Sequence, residues 1–143
     1  NTLTKLLELN TIPVINENDS VANEEFYIGE NDSLAALISA NIDADLVILL
    51  SDIDGLFTAD PHKDKNATLI KEVKEITPEV MALAGGAGSS LGTGGMATKL
   101  RAAQIALDAG IDMVISNGTN PEILYDIVDG KEVGTRFIAG GKK

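Results

Sequence analysis

The chain has 143 residues, 44% hydrophobic and 23% charged, which is the size and balance of one globular domain and excludes a disordered segment. It has no cysteine, which removes disulfides, thiolate metal sites and cysteine nucleophiles, and no apolar run near the roughly 20 residues that cross a bilayer. A net charge of −11 leaves no basic face for nucleic acid, although backbone N–H groups and one or two lysines can still build a local anion site.

Thr2 to Leu9 (TLTKLLEL) carries leucines at helical spacing and is not preceded by methionine, so the chain is expected to begin inside a larger unit. With no signal peptide visible, the cytoplasm is the default location. TIPVIN, Thr11 to Asn16, is short, β-branched and apolar and predicts a buried strand. The polar stretch that follows predicts a small hairpin around Glu25–Ile28. SLAALISANI predicts a helix from Ser33, with Asn31, Asp32 and Ser33 as N-cap candidates and Ser33 the best of them. DLVILLS, Asp45 to Ser51, predicts a strand covered on both faces.

Asp52 to Thr68 is rich in turn residues and predicts a long loop. LIKEVKEI predicts an edge strand, and TPEVMALA a helix with Pro78 in its first turn. Beyond a glycine-rich segment, TKLRAAQIALDAG predicts a helix stopped by Gly110. DMVISN, Asp112 to Asn117, predicts another buried strand, PEILYDIV a short helix and VGTRF a last short strand. Strands alternating with helices give the expected fold class: α/β, a mostly parallel sheet sandwiched between helices. Ligands in such sheets gather beyond the carboxyl ends of the strands, here the loops after Ile15, Leu50 and Ile115.

Six of the 14 glycines lie between Gly85 and Gly95, just before Thr98-Lys99. This is not a Walker A loop, because Thr98 stands where glycine must directly precede the lysine. Gly92-Thr93-Gly94-Gly95-Met96-Ala97 fits the dinucleotide pattern G-x-G-x-x-A, but that pattern must follow a strand and here follows a helix and more glycine. Two readings stay open on spacing alone. Either the glycine N–H groups approach a phosphate, with Lys99 as a point charge in the first turn of the next helix, or the segment is a linker with a surface lysine.

INEND (Ile15–Asp19) and GEND (Gly29–Asp32) each pair an amide with a carboxylate, a combination suited to a ligand bearing both ammonium and carboxylate groups. Helix capping competes with that role at Asp32. Ser51-Asp52 at a strand end could touch a nucleotide. Asp52-x-Asp54-Gly55 lacks the remaining ligands of a calcium loop. His62 is the single histidine, so no histidine metal cluster or triad can be built.

PVINENDSV, IGENDSLAAL, LLSDIDGLFTADP and GSSLGTGGMATKLRAAQIALDAG, in that order, resemble the amino-acid kinase family, most closely its members that phosphorylate glutamate. The resemblance implies transfer of the ATP γ-phosphoryl group to the side-chain carboxylate of L-glutamate, giving the acyl phosphate that opens proline biosynthesis. It implies glutamate binding by Asp19 and Asn31, organisation of the catalytic lysines by Asp32, nucleotide contacts from Ser51 and Asp52, and an ATP loop of Thr93, Gly94, Gly95, Met96, Ala97, Thr98 and Lys99. Lys99 would sit on the migrating phosphoryl. Magnesium is expected on the phosphates, with no ligand residue named.

Family members are commonly dimers or tetramers and are often inhibited by proline, so homo-oligomers and proline as a ligand are expected too. The family's first strand, early glycine loop and second phosphate-binding lysine have no counterpart here. The expectation is therefore the C-terminal portion of one kinase domain, without the accessory C-terminal domain of some members and with little activity alone. Other acceptors within the family (aspartate, acetylglutamate, carbamate or a nucleotide) and a non-catalytic amino-acid-binding module are the rival readings.

Overall fold

The computed structural model describes residues 1–16, 31–85 and 95–140. The elements are α1 (Thr2–Glu8), α2 (Asn31–Asn41), β1 (Leu46–Ser51), β2 (Glu72–Val73), α3 (Pro78–Ala82), α4 (Gly95–Asp108), β3 (Asp112–Asn117), α5 (Ile123–Val128) and β4 (Thr135–Phe137). The four strands form one sheet in the order β1-β3-β4-β2. β1 runs parallel to β3 and β2 parallel to β4, whereas β3 and β4 are antiparallel. This is the expected α/β fold with a mostly parallel sheet, and β2 is the expected edge strand. Among the described residues no helix is long and apolar enough to cross a membrane.

The core follows from the alternation of β3 and from the alanines of α4. Met113 and Ile115 point to one face of the sheet, where they join Val47 and Leu49 of β1 and Leu100, Ala102, Ala103 and Ala106 of α4. Four small or aliphatic α4 residues fully buried in one stripe let α2, through Ala36, approach closely. Val114 and Ser116, on the other face of β3, are buried as well, so this strand is covered on both sides. β1 is not: at the sheet edge, Leu50 is 42% exposed.

Helix ends account for much of the remaining local structure. α4 stops in a Schellman motif, with Gly110 at φ +75°, its N–H donating to Leu107 O and the Ile111 N–H to Ala106 O. Asn10 and Asp43, both with φ near +60°, end α1 and α2 in the same manner. α3 begins as expected, Thr77 Oγ1 accepting the Val80 N–H with Pro78 in the first turn.

Besides the uncovered face of β1, two further sequence expectations are corrected here. TIPVIN is not a buried strand: residues 11–16 pair with no strand among the described residues, and Ile12 and Val14 are 90% and 94% exposed. Thr11 instead turns back on α1, its N–H and hydroxyl both donating to Leu6 O. A β-branched run forms a strand only where a neighbour completes its ladder. α2 starts at Asn31, so Ser33 is a buried residue inside the first turn and not the cap. The hairpin expected around Glu25–Ile28 lies outside the described residues.

Gly134 supplies a stability prediction. Its φ is +60°, and a Cβ there would fall onto the Ile115 carbonyl oxygen and lie 3.2 Å from Asp54 O. Gly134→Ala is expected to destabilise the protein by on the order of 2 kcal/mol or more. The check is the midpoint of chemical denaturation, which should fall at unchanged slope.

Candidate active site

Parallel pairing brings the two productive loops to one edge of the sheet. Ser51 at the end of β1 lies in register with Asn117 at the end of β3, so the segments following both strands leave on the same side. Asn117 fastens them together: its Nδ2 donates to Asp54 Oδ1 at 3.2 Å, and the neighbouring Gly118 N–H donates to Ser51 O at 2.8 Å. The β1 loop is further braced by an isolated bridge between Phe57 and Leu69.

That loop forms one wall of a cavity of about 490 Å³. The end of α3 (Ala82–Gly85) forms a second wall and the start of α4 (Gly95, Met96, Lys99) a third. Ile53, Leu56, Phe57, Leu83 and Met96 make most of the lining apolar, while Ser51, Asp52, Asp60 and Lys99 supply polar groups. An aliphatic slot with a few polar groups at its rim and a volume within the ordinary range for small-ligand sites can hold a flat heterocycle with an anionic tail. The α4 N-terminus adds backbone N–H groups without intrahelical partners and a partial positive charge on the same side as Lys99.

Lys99 is paired at this wall. Its Nζ lies 3.1 Å from Asp32 Oδ2, and the two side chains are only 13% and 24% exposed. Thr98 Oγ1 lies 3.2 Å from the same Asp32 oxygen and 2.9 Å from Gly95 O, so its one proton is shared between these two acceptors. The N-terminal turns of α2 and α4 therefore meet at one carboxylate 67 residues away from its lysine. Asp32 gains from its own position too, since a negative charge in the first turn of α2 opposes the helix dipole.

Asp60 is a further acidic group on the cavity. Its Oδ1 accepts the His62 N–H at 2.9 Å, with the His62 imidazole 3.3 Å away. The His62 backbone N–H, and after it the imidazole and the Lys63 ammonium, hold the Asp60 carboxyl below the ordinary carboxylate range against the opposing effect of burial. Asp60 therefore stays ionised at neutral pH. Its Oδ2 is buried and, among the described residues, meets no hydrogen-bond donor.

Of the residues expected at the site, Ser51, Asp52, Gly95, Met96 and Lys99 line this single cavity, and Asp32 and Thr98 adjoin it through Lys99. Ala97 does not line the cavity and packs against the core. Asn31 opens α2 next to Asp32. Asp19, Thr93 and Gly94 lie outside the described residues. Phe57, Asp60 and Leu83 were not foreseen. The first two fall in LLSDIDGLFTADP, which carries the family resemblance without giving either of them a role, and nothing local signals that the end of α3 closes a cavity.

The amino acid kinase family pattern matches residues 1–117. The chain belongs to the amino acid kinase family. Glutamate 5-kinase of Clostridium perfringens is 50% identical, the match covering 97% of this chain and 53% of that protein. The Clostridium acetobutylicum glutamate 5-kinase is 53% identical over 99% of this chain and 53% of its own length, and that of Deinococcus radiodurans 51% identical over 99% and 39%. The chain thus spans about half the length, or less, of these amino acid kinase relatives. Among solved structures, UMP kinase from Bacillus anthracis has a TM-score of 0.68 at 17% identity, covering 96% of this chain and 50% of that one. The Ureaplasma parvum UMP kinase has a TM-score of 0.66 at 18% identity, covering 96% and 52%. At such identity these two show that the amino acid kinase family member described here shares their fold.

Proposed function

We propose that the protein transfers the γ-phosphoryl group of ATP to the side-chain carboxylate of L-glutamate, giving γ-glutamyl phosphate for proline biosynthesis, in the cytoplasm. The observation that carries the catalytic part of this reading is the Lys99–Asp32 pair at the wall of the cavity. The choice of glutamate draws its support from relatives at about half identity that bear the name glutamate 5-kinase. Residues 1–143 then form the C-terminal portion of one kinase domain, in a homo-oligomer, with proline as an inhibitor competing for the glutamate site.

The chemistry asks little covalent work of the protein. A glutamate carboxylate, with an ordinary pKa of about 4.3, is already a nucleophile at neutral pH, so no general base is needed. A carboxylate oxygen bonds to the γ-phosphorus as the bond from that phosphorus to the β–γ bridging oxygen breaks, and ADP leaves with the electron pair. No proton changes hands. The barrier lies in bringing two anions together and in the charge on the transferring group, which fixed cations and N–H donors offset.

In this reading the apolar slot takes the base, with Ser51, Asp52 and the free oxygen of Asp60 on donors of the nucleoside. The segment Thr93–Thr98 and the α4 N-terminus face the phosphates. Lys99 lies on the migrating group, held there by Asp32, and Asp19 and Asn31 bind the amino acid. Among the described residues no three His, Cys, Asp or Glu gather to hold a metal. Magnesium, when bound with the nucleotide, would neutralise phosphate charge.

The test is an acceptor panel on the full-length protein, with ATP and hydroxylamine to trap an acyl phosphate. Glutamate should be preferred over aspartate, acetylglutamate and carbamate, and UMP should give no ADP. A preference for any other acceptor refutes the assignment.

A further inference from the structure

We infer that Thr135, remote in sequence from every residue of the cavity, is a positioning residue for the nucleotide. The inference rests on the reading above, that the cavity holds ATP. Thr135 is fully buried at the start of β4, opposite Ile115 of β3. Its hydroxyl serves two separate backbone segments. Oγ1 accepts the Leu56 N–H at 2.9 Å and donates to Ile70 O at 2.6 Å, across 79 and 65 residues of sequence. Leu56 and Ile70 are themselves joined, the Ile70 N–H donating to Leu56 O at 2.8 Å. One hydroxyl thus closes the base of the loop whose outward residues, Gly55 to Phe57 and Ala59 to His62, are cavity wall.

The neighbouring glycine shows how closely the hydroxyl is inserted. A Cβ on Gly55 would stand 2.6 Å from Thr135 Oγ1 and 2.9 Å from Leu69 Cδ1, so the loop rests directly on the threonine. Any side chain at 135 that cannot both accept and donate leaves the Leu56 N–H and the Ile70 C=O competing for partners in a dry interior. The loop then relaxes away from β4, and the wall bearing Phe57 and Asp60 moves with it. Glutamate is handled by other segments, so the displacement is felt by the nucleotide alone.

The experiment compares Thr135→Val, which keeps the shape and removes the hydroxyl, with Thr135→Ser, which keeps the hydroxyl, in the full-length protein. ATP and glutamate KM, kcat and the thermal midpoint are measured for each, with direct binding of ATP to the wild type. The valine variant should raise the ATP KM roughly tenfold or more, in line with the cost of an ångström-scale misplacement, with the glutamate KM within about twofold of wild type. The serine variant should restore the ATP KM.

A valine variant with a lower midpoint but wild-type ATP KM overturns the inference, because a purely structural tie changes the amount of folded enzyme and not its affinity. If the valine variant does not fold, a serine variant with raised ATP KM overturns it equally. Wild-type protein that binds no ATP overturns the functional reading itself, and this inference with it.

Discussion

Lys99→Ala in the full-length protein is expected to lower kcat for glutamate phosphorylation by about 10³-fold, the range in which single charge-stabilising groups act on phosphoryl and acyl transfer. Each factor of ten is about 1.4 kcal/mol, so the lysine is being asked for about 4 kcal/mol of transition-state stabilisation. The demand is reasonable because its side chain is only 13% exposed and its ammonium is held 3.1 Å from Asp32 instead of moving freely in water. A charge fixed in a partly dry wall interacts more strongly with a developing anion than one on the open surface, and it needs no reorganisation during the reaction. Glutamate affinity should change by no more than a few-fold, since the amino acid is assigned to Asp19 and Asn31. Steady-state kinetics with calorimetric glutamate binding checks both. Turnover unchanged by the substitution would favour the non-catalytic binding-module reading.

Asp32→Asn is expected to lower kcat by about 10²-fold, and Lys99→Ala combined with it to be no slower than Lys99→Ala alone, as for residues acting as one unit. The choice of asparagine separates two roles. Asparagine keeps the size of the side chain and one carbonyl oxygen, so the substitution removes chiefly the charge. What asparagine lacks is the charge that fixes the Lys99 ammonium and the oxygen shared with Thr98. A thermal midpoint near that of the wild type, alongside the kinetic loss, completes the measurement. If the two single effects multiply in the double variant, Asp32 and Lys99 work independently and the pairing described above is not what positions the lysine.

Part of the cavity carries local signals in the sequence: Ser51-Asp52 where an apolar run ends in polar residues, Asp32 at a helix start, and Gly95 to Lys99 at the end of a glycine-rich segment. Spacing alone left the glycine segment between a phosphate loop and a linker. In space Lys99 is not a free surface lysine, since it is 13% exposed and paired with Asp32 of α2. TIPVIN shows the converse failure. Its composition says strand, yet pairing is a property of two segments, and a run of β-formers carries no information about whether its neighbour is there.

Asp60 and Thr135 mark the other limit of sequence. In the string, Asp60 is one of several acidic residues in a turn, and Thr135 is one polar residue within a short strand. Only burial shows that one Asp60 oxygen meets no donor among the described residues and that Thr135 has no exposed surface.

By itself the sequence determined the α/β alternation, the mostly parallel sheet, the helix stop at Gly110 and the family, because periodicity, capping and motif order act over a few residues at a time. Tertiary structure supplied the Asp32–Lys99 contact itself, which the family resemblance only implied, and alone decided that the end of α3 closes the cavity and that the Thr135 hydroxyl ties Leu56 to Ile70. Those contacts join residues 65 to 79 positions apart, or separate elements, and their strength depends on exclusion of water, which no local pattern encodes.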